Sequence, residues 1–497
     1  MTQNLAACVD CIMLYGLARM LRRSVTVCRH ATGVQTEQHF SVAHRCLSSQ
    51  PRDYALPNST WSHHTKELYD KFMTLSKDGS WKPLPSYDTT IHHRDGMWPE
   101  TDRKSRLFTR NIDKDGVGFE YCMFYNKAEK RIVCIFQPGP YLEGPPGYTH
   151  GGCIATIIDI TAGTGAVYSC GSVLTANLNV NYRNPIPLGS TVIIDSRVEK
   201  EEGRKVYLSC QIRSHDDAVL HNEATGLFIR INSGEPQVDS LKIYTSFQIR
   251  SHDDDDDAVL HTEATGIMLH DVARKLRGTS AVFHHTAGEH TEHHFSVTHR
   301  CLSQPSQPRD YALPNSNWSH HTKELYDKFM TLSKDGSWTS LPSYNKPVHL
   351  RDDMWPEAER KTRFFLRNTD EDGVGFEYCM FYNEAEKRTV CIFQPGPYLE
   401  GPEGRTHGGC IATIIDATMG TGTALSCGRA MTANLNINYR NPIPLGSTVI
   451  VDSRVEKVEG RKIYLSCQIR SRDDAVLHTE ATGLFIRVAL GESEAKL

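Results

Sequence analysis

Apolar side chains at Leu68, Phe72 and Leu75 recur at helical spacing and predict a helix over 64–75 with these three on its buried face. Residues 117–125 form a strand-like run rich in aromatics, 126–130 a turn, and 131–137 the returning partner strand. Proline and glycine dominate 138–147, which reads as a loop. A second, far more apolar helix is predicted over 151–167, and four strands over 174–182, 191–200, 205–214 and 218–231. One central helix followed by a run of long antiparallel strands suits a sheet curled around that helix, an α+β fold.

The same pattern is written twice. Asp53-Tyr54-Ala55-Leu56-Pro57 recurs as Asp310-Tyr311-Ala312-Leu313-Pro314, and His150-Gly151-Gly152 as His407-Gly408-Gly409, at one constant spacing; roughly four in five paired positions are identical from Asp53 to Ile231. A repeat this long is a duplicated domain rather than a solenoid unit. Identity this high marks a recent copy, so the shared residues carry little information about selection. The expected organisation is a leader at 1–50, a first domain at 51–231, a linker at 232–309 and a second domain at 310–490. The linker opens on a partial third copy of the last strands. Gln248-Ile249-Arg250-Ser251-His252 repeats Gln211-Ile212-Arg213-Ser214-His215, and 258–266 closely follows 218–226 after a run of aspartates from Asp253 to Asp257. Ala273-Arg274-Lys275-Leu276-Arg277 then resembles Ala18-Arg19-Met20-Leu21-Arg22, as though the second copy had kept its own leader. Fusion of two neighbouring genes would produce this order, and a linker of this kind is expected to be mobile.

Composition narrows the classes. The chain has 497 residues, 39% of them hydrophobic, which is ample for two or three domains. A formal net charge of -4 gives no reason to expect a nucleic-acid partner. The longest apolar run, 154–167, contains Asp159 and falls short of the ~20 residues a membrane-spanning helix needs. Of the 15 cysteines, most sit inside apolar runs, as Cys122, Cys134 and Cys210 do, and fit buried thiols of a reducing compartment. Cys8 and Cys11 have metal or redox spacing but no second pair to complete a zinc site. His284, His285, His290, His293 and His294 crowd the linker; solvated linker is favoured there over metal binding. From Ile12 to Gly33 there is no acidic residue, while Arg19, Arg22, Arg23 and Arg29 interleave with apolar and hydroxylated residues. That is the composition of a mitochondrial transit peptide, set against a disordered leader. The expected location is mitochondrial, in the matrix or at the inner membrane, with the cytoplasm as a second site.

Candidate chemistry concentrates in His150-Gly151-Gly152-Cys153-Ile154-Ala155-Thr156-Ile157-Ile158-Asp159. Free backbone N–H groups at a helix N-terminus carry partial positive charge, and glycine lets a carbonyl oxygen come close. Such a start can hold the oxyanion of an acyl-transfer intermediate; equally, the glycines can serve close packing of helix on sheet. Asp159 lies among Ile157, Ile158 and Ile160, where a carboxylate is costly unless partnered or put to work as a general base. The alternative is an Asp on a solvent-facing stripe. Cys153 follows the glycines, but no histidine is placed by sequence to activate it within the helix.

The run from Phe119 to Asn181 resembles the acyl-CoA hydrolases of the thioesterase superfamily, above all the mitochondrial subgroup that includes carboxyl-terminal modulator protein. Phe119-Glu120-Tyr121, Met123-Phe124-Tyr125-Asn126, Gly139-Pro140-Tyr141-Leu142-Glu143-Gly144-Pro145, the His-Gly-Gly helix, and Thr175-Ala176-Asn177-Leu178-Asn179 with Tyr182 carry the resemblance. It covers nearly all of each copy, apart from leader and linker. It implies two tandem hotdog domains, each a curved antiparallel sheet around a central helix, forming an intramolecular pseudo-dimer, with a further homo-oligomer as an additional option. It implies hydrolysis of medium- to long-chain fatty acyl-CoA to fatty acid and CoA, without cofactor or metal. By the same resemblance Asp159 and Asp416 activate water, and Gly151 and Gly408 donate to the oxyanion. His150 and His407 shape the site, Thr175 and Thr432 assist the aspartates, and each site joins the glycine of one unit to the aspartate of the other. Contacts to CoA fall on Asn181, Arg183 and Arg204, and on Asn438, Arg440 and Arg461; basic side chains suit its phosphates. For Arg204, in a Glu202-Gly203 turn, a solvated strand edge weighs equally.

Related hotdog thioesterases often carry an asparagine a few residues before the His-Gly-Gly; here that stretch is Glu143-Gly144-Pro145-Pro146. Copy two has Arg405 for Tyr148 and Glu403 for Pro146, so the two sites are expected to differ in acyl preference. Two competing readings stand beside this one. A hotdog hydratase would rely on a His–Asp pair at the loop. A non-catalytic acyl-CoA-binding or kinase-regulatory protein follows from the subgroup member named for modulating a kinase tail, and makes a kinase a partner by resemblance.

Overall fold

The computed structural model describes residues 52–88, 105–231, 309–345 and 362–488. The leader with Cys8 and Cys11, and the linker up to Pro308 with its strand copy, aspartate run and histidines, lie outside the described residues.

Each copy begins with an amphipathic helix, α1 (His63–Leu75) in the first. Ser62 caps it by accepting the Thr65 N–H, and Phe72 stacks on Phe124 at 5.1 Å. The buried face is Thr65, Leu68 and Phe72; Leu75, expected there, is 40% exposed, because it ends the helix one turn beyond Phe72. There follow β1 (Lys82–Leu84), β2 (Phe119–Asn126), β3 (Arg131–Pro138), the central helix α2 (Gly151–Cys170), β4 (Val173–Tyr182), β5 (Val192–Glu202), β6 (Lys205–Ser214) and β7 (Leu220–Arg230). Copy two repeats this as α3 (His320–Leu332), β8 (Thr339–Leu341), β9 (Phe376–Asn383), β10 (Arg388–Pro395), α4 (Gly408–Cys427), β11 (Ala430–Tyr439), β12 (Val449–Glu459), β13 (Lys462–Ser471) and β14 (Leu477–Arg487). The central helices run 20 residues, longer than expected, and by length and composition alone are apolar enough to cross a membrane. In this fold the sheet wraps them and 61% of the most apolar stretch of each is buried.

Among the described residues all strands join one 14-stranded antiparallel sheet in the order β1-β2-β3-β5-β6-β7-β4-β11-β14-β13-β12-β10-β9-β8. The copies meet edge to edge where β4 pairs with β11, Asn179 opposite Asn436 at the centre. Here Asn177, Asn179 and Asn181 alternate with Leu178 and Val180, so period two sends the apolar pair into the core and the amides to the other face. Asn177 Nδ2 donates to Asn436 Oδ1 and Asn438 Oδ1, both at 2.9 Å, and Asn434 Nδ2 donates to Asn179 Oδ1 and Asn181 Oδ1, both at 2.8 Å. The amide ladder satisfies polar groups that would otherwise be stranded at a half-buried seam.

Two further links cross between the copies. The main chain at Arg106 and Phe108 bonds Pro397 and Glu400, and that at Arg363 and Phe365 bonds Pro140 and Glu143. These links carry Phe108 and Phe365, both fully buried, into ring contact at 5.6 Å. One apolar cluster therefore draws on both copies, with Phe136, Ile157 and Leu178 beside Phe393, Ile414 and Leu435.

Candidate active site

The site starts from how α2 begins. His150 is its N-cap, with Nδ1 accepting the Gly152 N–H at 2.9 Å. A ring nitrogen that accepts cannot carry the proton, so the neutral imidazole holds its hydrogen on Nε2. Burial pushes His150 down from its ordinary value, with Asp416 pulling partly back, so the ring is neutral at pH 7. The Gly151 N–H, an orphan donor at the helix start, makes no hydrogen bond among the described residues.

Asp416 arrives from α4 of the other copy. Its Oδ2 accepts the Gly152 N–H at 3.0 Å and lies 3.4 Å from His150 Nδ1, while Oδ1 accepts from Thr432 Oγ1 at 2.8 Å. The two glycines have separate reasons. A Cβ on Gly151 would stand 2.7 Å from Asp416 Oδ2, and one on Gly152 would stand 2.4 Å from the Thr413 backbone, where α2 and α4 touch. The first glycine admits the carboxylate and the second admits the helix. Site geometry and close packing, alternatives in the sequence, are both satisfied, one residue each.

The second site mirrors the first. A Cβ on Gly408 would meet Asp159 Oδ2 at 2.7 Å, Thr175 Oγ1 donates to Asp159 Oδ1 at 2.9 Å, and His407 Nδ1 lies 3.6 Å from Asp159 Oδ2. Asp159 is 5% exposed, not on a solvent-facing stripe. Burial raises its carboxyl above the ordinary value, partly offset by His407, the Thr175 hydroxyl and the Gly409 N–H. Burial likewise lowers His407, with Asp159 opposing. A β-bulge aims each threonine. Leu178 faces the helix, so strict alternation would turn Thr175 away; the register shift between Thr175 and Asn177 turns it back. The same shift between Thr432 and Asn434 serves Asp416.

Cavities of about 960 and 1060 Å³ open on the two sites. Arg183 lines the first and Arg440 the second, each exposed and paired with a glutamate, Glu223 at 2.9 Å and Glu480 at 3.0 Å. Asn181 and Asn438, expected to contact CoA, line neither cavity; the side-chain oxygen of each is taken by the amide ladder, because the β4–β11 pairing places them on it. Arg204 and Arg461 also line neither; each donates through Nε to a main-chain oxygen at a strand end, Arg230 O of β7 and Arg487 O of β14. Cys153 is fully buried and its thiol is held well above the ordinary value, which leaves no thiolate for attack.

Two contributors escaped the sequence reading. Tyr182 and Tyr439 donate to Gly151 O and Gly408 O at 2.9 and 3.0 Å and hold the glycine peptides in place. Phe365 packs on His150 and Phe108 on His407, at 6.0 and 5.9 Å between ring centroids. Tyr182 stood within a recognisable motif; nothing local to Phe108 signals that it crosses to the other copy.

The sequence pattern described as the thioesterase superfamily matches residues 146–221 and 403–478, once in each copy. Acyl-coenzyme A thioesterase THEM4 of Xenopus laevis is 60% identical over 220 residues, 44% of this chain and 99% of that protein, which is thus the size of one copy. Acyl-coenzyme A thioesterase THEM5 of Mus musculus is 39% identical over 191 residues, 37% of this chain and 77% of its own. Among solved structures, the tesB protein of Mycobacterium avium subs paratuberculosis aligns with 72% of this chain and 93% of its own at 10% identity and TM-score 0.35, a likeness too remote to carry weight.

Proposed function

Since this chain belongs to the thioesterase superfamily, we propose that it is an acyl-CoA thioesterase that hydrolyses medium- to long-chain fatty acyl-CoA to free fatty acid and CoA. The observation that carries the reading is the meeting of a buried carboxylate from one copy with an unpaired helix-start N–H from the other. Each chain then supplies both halves of both sites as its own pseudo-dimer.

In the first site Asp416 accepts a proton from water while the water oxygen bonds to the thioester carbonyl carbon. The Gly151 N–H stabilises the negative charge that develops on the carbonyl oxygen, and His150 Nε2–H offers a second donor. The C–S bond then breaks, and the proton held on Asp416 passes to the departing CoA sulfur. Thr432 holds the carboxylate oriented throughout. The second site runs the same steps with Asp159, Gly408, His407 and Thr175. Arg183 and Arg440, at the cavity rims, suit the phosphates of CoA.

Purified protein hydrolysing palmitoyl-CoA, against an Asp159→Asn/Asp416→Asn chain, tests this. The double variant should lose about 10²–10⁴-fold in kcat, the usual contribution of a general base. Equally negligible rates from both folded chains would leave the non-catalytic binding reading ahead.

A further inference from the structure

The two sites are not copies of one another in the place where an acyl chain would lie. Each cavity runs from its aspartate along one face of the helix that carries it. In the first site that wall is Ala417, Gly420, Thr421 and Ala424; in the second it is Ile160, Gly163, Thr164 and Val167. Matched position by position, the second wall carries isoleucine and valine where the first carries alanine, five carbons more along the same track. A second stretch of each wall comes from the same copy as its helix, and there the imbalance is reversed. The first site has Phe364 and Leu366 where the second has Leu107 and Thr109. Thr109 Oγ1 shares a hydrogen bond with the Tyr121 hydroxyl at 2.9 Å. Leu366 cannot, and the Tyr378 hydroxyl bonds Ser343 Oγ at 3.1 Å instead. Volumes of about 960 and 1060 Å³ are consistent with redistribution rather than shrinkage.

We propose that the two sites divide acyl-CoA substrates by chain length: the site of Gly151 and Asp416 takes long acyl chains along the bare face of α4, and the site of Gly408 and Asp159 takes shorter ones because Ile160 and Val167 fill that track. This rests on the hydrolase reading above. The exposed rim with Arg183 or Arg440 suits the polar CoA half of the substrate, and leaves the apolar helix wall to the acyl half. A single methylene in an apolar pocket discriminates by roughly 10–200-fold, so five carbons are ample. Ile160, Val167, Ala417 and Ala424 are the specificity-determining residues.

Asp159→Asn leaves the first site working and Asp416→Asn leaves the second. The measurement is kcat/KM for butyryl-, octanoyl- and palmitoyl-CoA in each variant. The palmitoyl-to-butyryl ratio is expected to be at least roughly tenfold higher in Asp159→Asn. Adding Ala417→Ile/Ala424→Val to Asp159→Asn should lower that ratio, and adding Ile160→Ala/Val167→Ala to Asp416→Asn should raise it. Thermal melts report that each chain is folded, and the filling pair still decides the matter where the cavity-forming pair is unstable. Equal ratios in the two single-site chains overturn the proposal while leaving the hydrolase standing, since both turn over. Folded single-site chains inactive on every acyl-CoA would remove the hydrolase reading and this division with it.

Discussion

Asp159 joins the catalytic role proposed above to a destabilising character in one carboxyl. Burial raises it above the ordinary carboxylate value of 3.8, so its ionised form costs folding energy. Below the unfolded value both states are protonated and no penalty exists; the penalty grows as pH rises through the higher folded value and is complete above it. Asp159→Asn should therefore melt higher than the parent at pH 7 and no higher at acidic pH. In an Asp416→Asn background, where only the second site works, kcat/KM should fall with unit slope as pH drops through a pKa above 3.8. A purely structural aspartate would show neither the gain in melting temperature nor the raised acid limb. The sequence made this residue legible, because a carboxylate flanked by Ile157, Ile158 and Ile160 needs a reason to be there. It did not make Gly152 legible, since the Thr413 backbone that forbids a side chain belongs to a helix 257 residues on.

At the scale of elements, hydrophobic periodicity located the helices and strands well. β6 and the start of α2 fall where expected, and α2 runs on to Cys170, where Gly171 at φ 83° ends it. What periodicity could not disclose was the partner of an edge. In β4 the alternation of Asn177, Asn179 and Asn181 with Leu178 and Val180 was visible, but it signals a ladder only once β11 lies alongside. The resemblance assigns Asn181 to CoA; in the structure its side-chain oxygen accepts from Asn434 Nδ2. The ladder makes a prediction of its own. Asn177→Ala/Asn434→Ala removes both donors, each making three contacts across the seam. At roughly 1 kcal/mol net for each replaceable hydrogen bond, with the acceptors regaining water in part, the pair should cost about 2–4 kcal/mol in urea unfolding. Activity at both sites should fall together, since each aspartate reaches its glycine through this junction. An unchanged unfolding midpoint would mean the seam is held by Leu178, Val180, Leu435 and Ile437 alone.

For the molecule as a whole, the repeat showed two units, and the crosswise joining came from resemblance rather than from any spacing in the chain. Gly151 lies against Asp416 and Gly408 against Asp159, an arrangement that makes a topological prediction needing no substrate preference to interpret. Gly151→Ala puts a Cβ 2.7 Å from Asp416 Oδ2 and should disable the first site; Gly408→Ala should disable the second. Paired with Asp159→Asn, the two glycine changes must then behave differently. Asp159→Asn/Gly408→Ala damages one site twice and should keep the activity of Asp159→Asn alone. Asp159→Asn/Gly151→Ala, although both changes fall in the same copy, damages both sites and should lose about 10²–10⁴-fold against the parent, as expected when a catalytic base is removed or an oxyanion donor displaced. If each copy held a self-contained site the results would exchange places: the two changes within copy one would spare the other copy, and the pair split between copies would abolish turnover. Steady-state rates on one shared acyl-CoA, with melting curves to confirm folding, separate the two arrangements without a further structure.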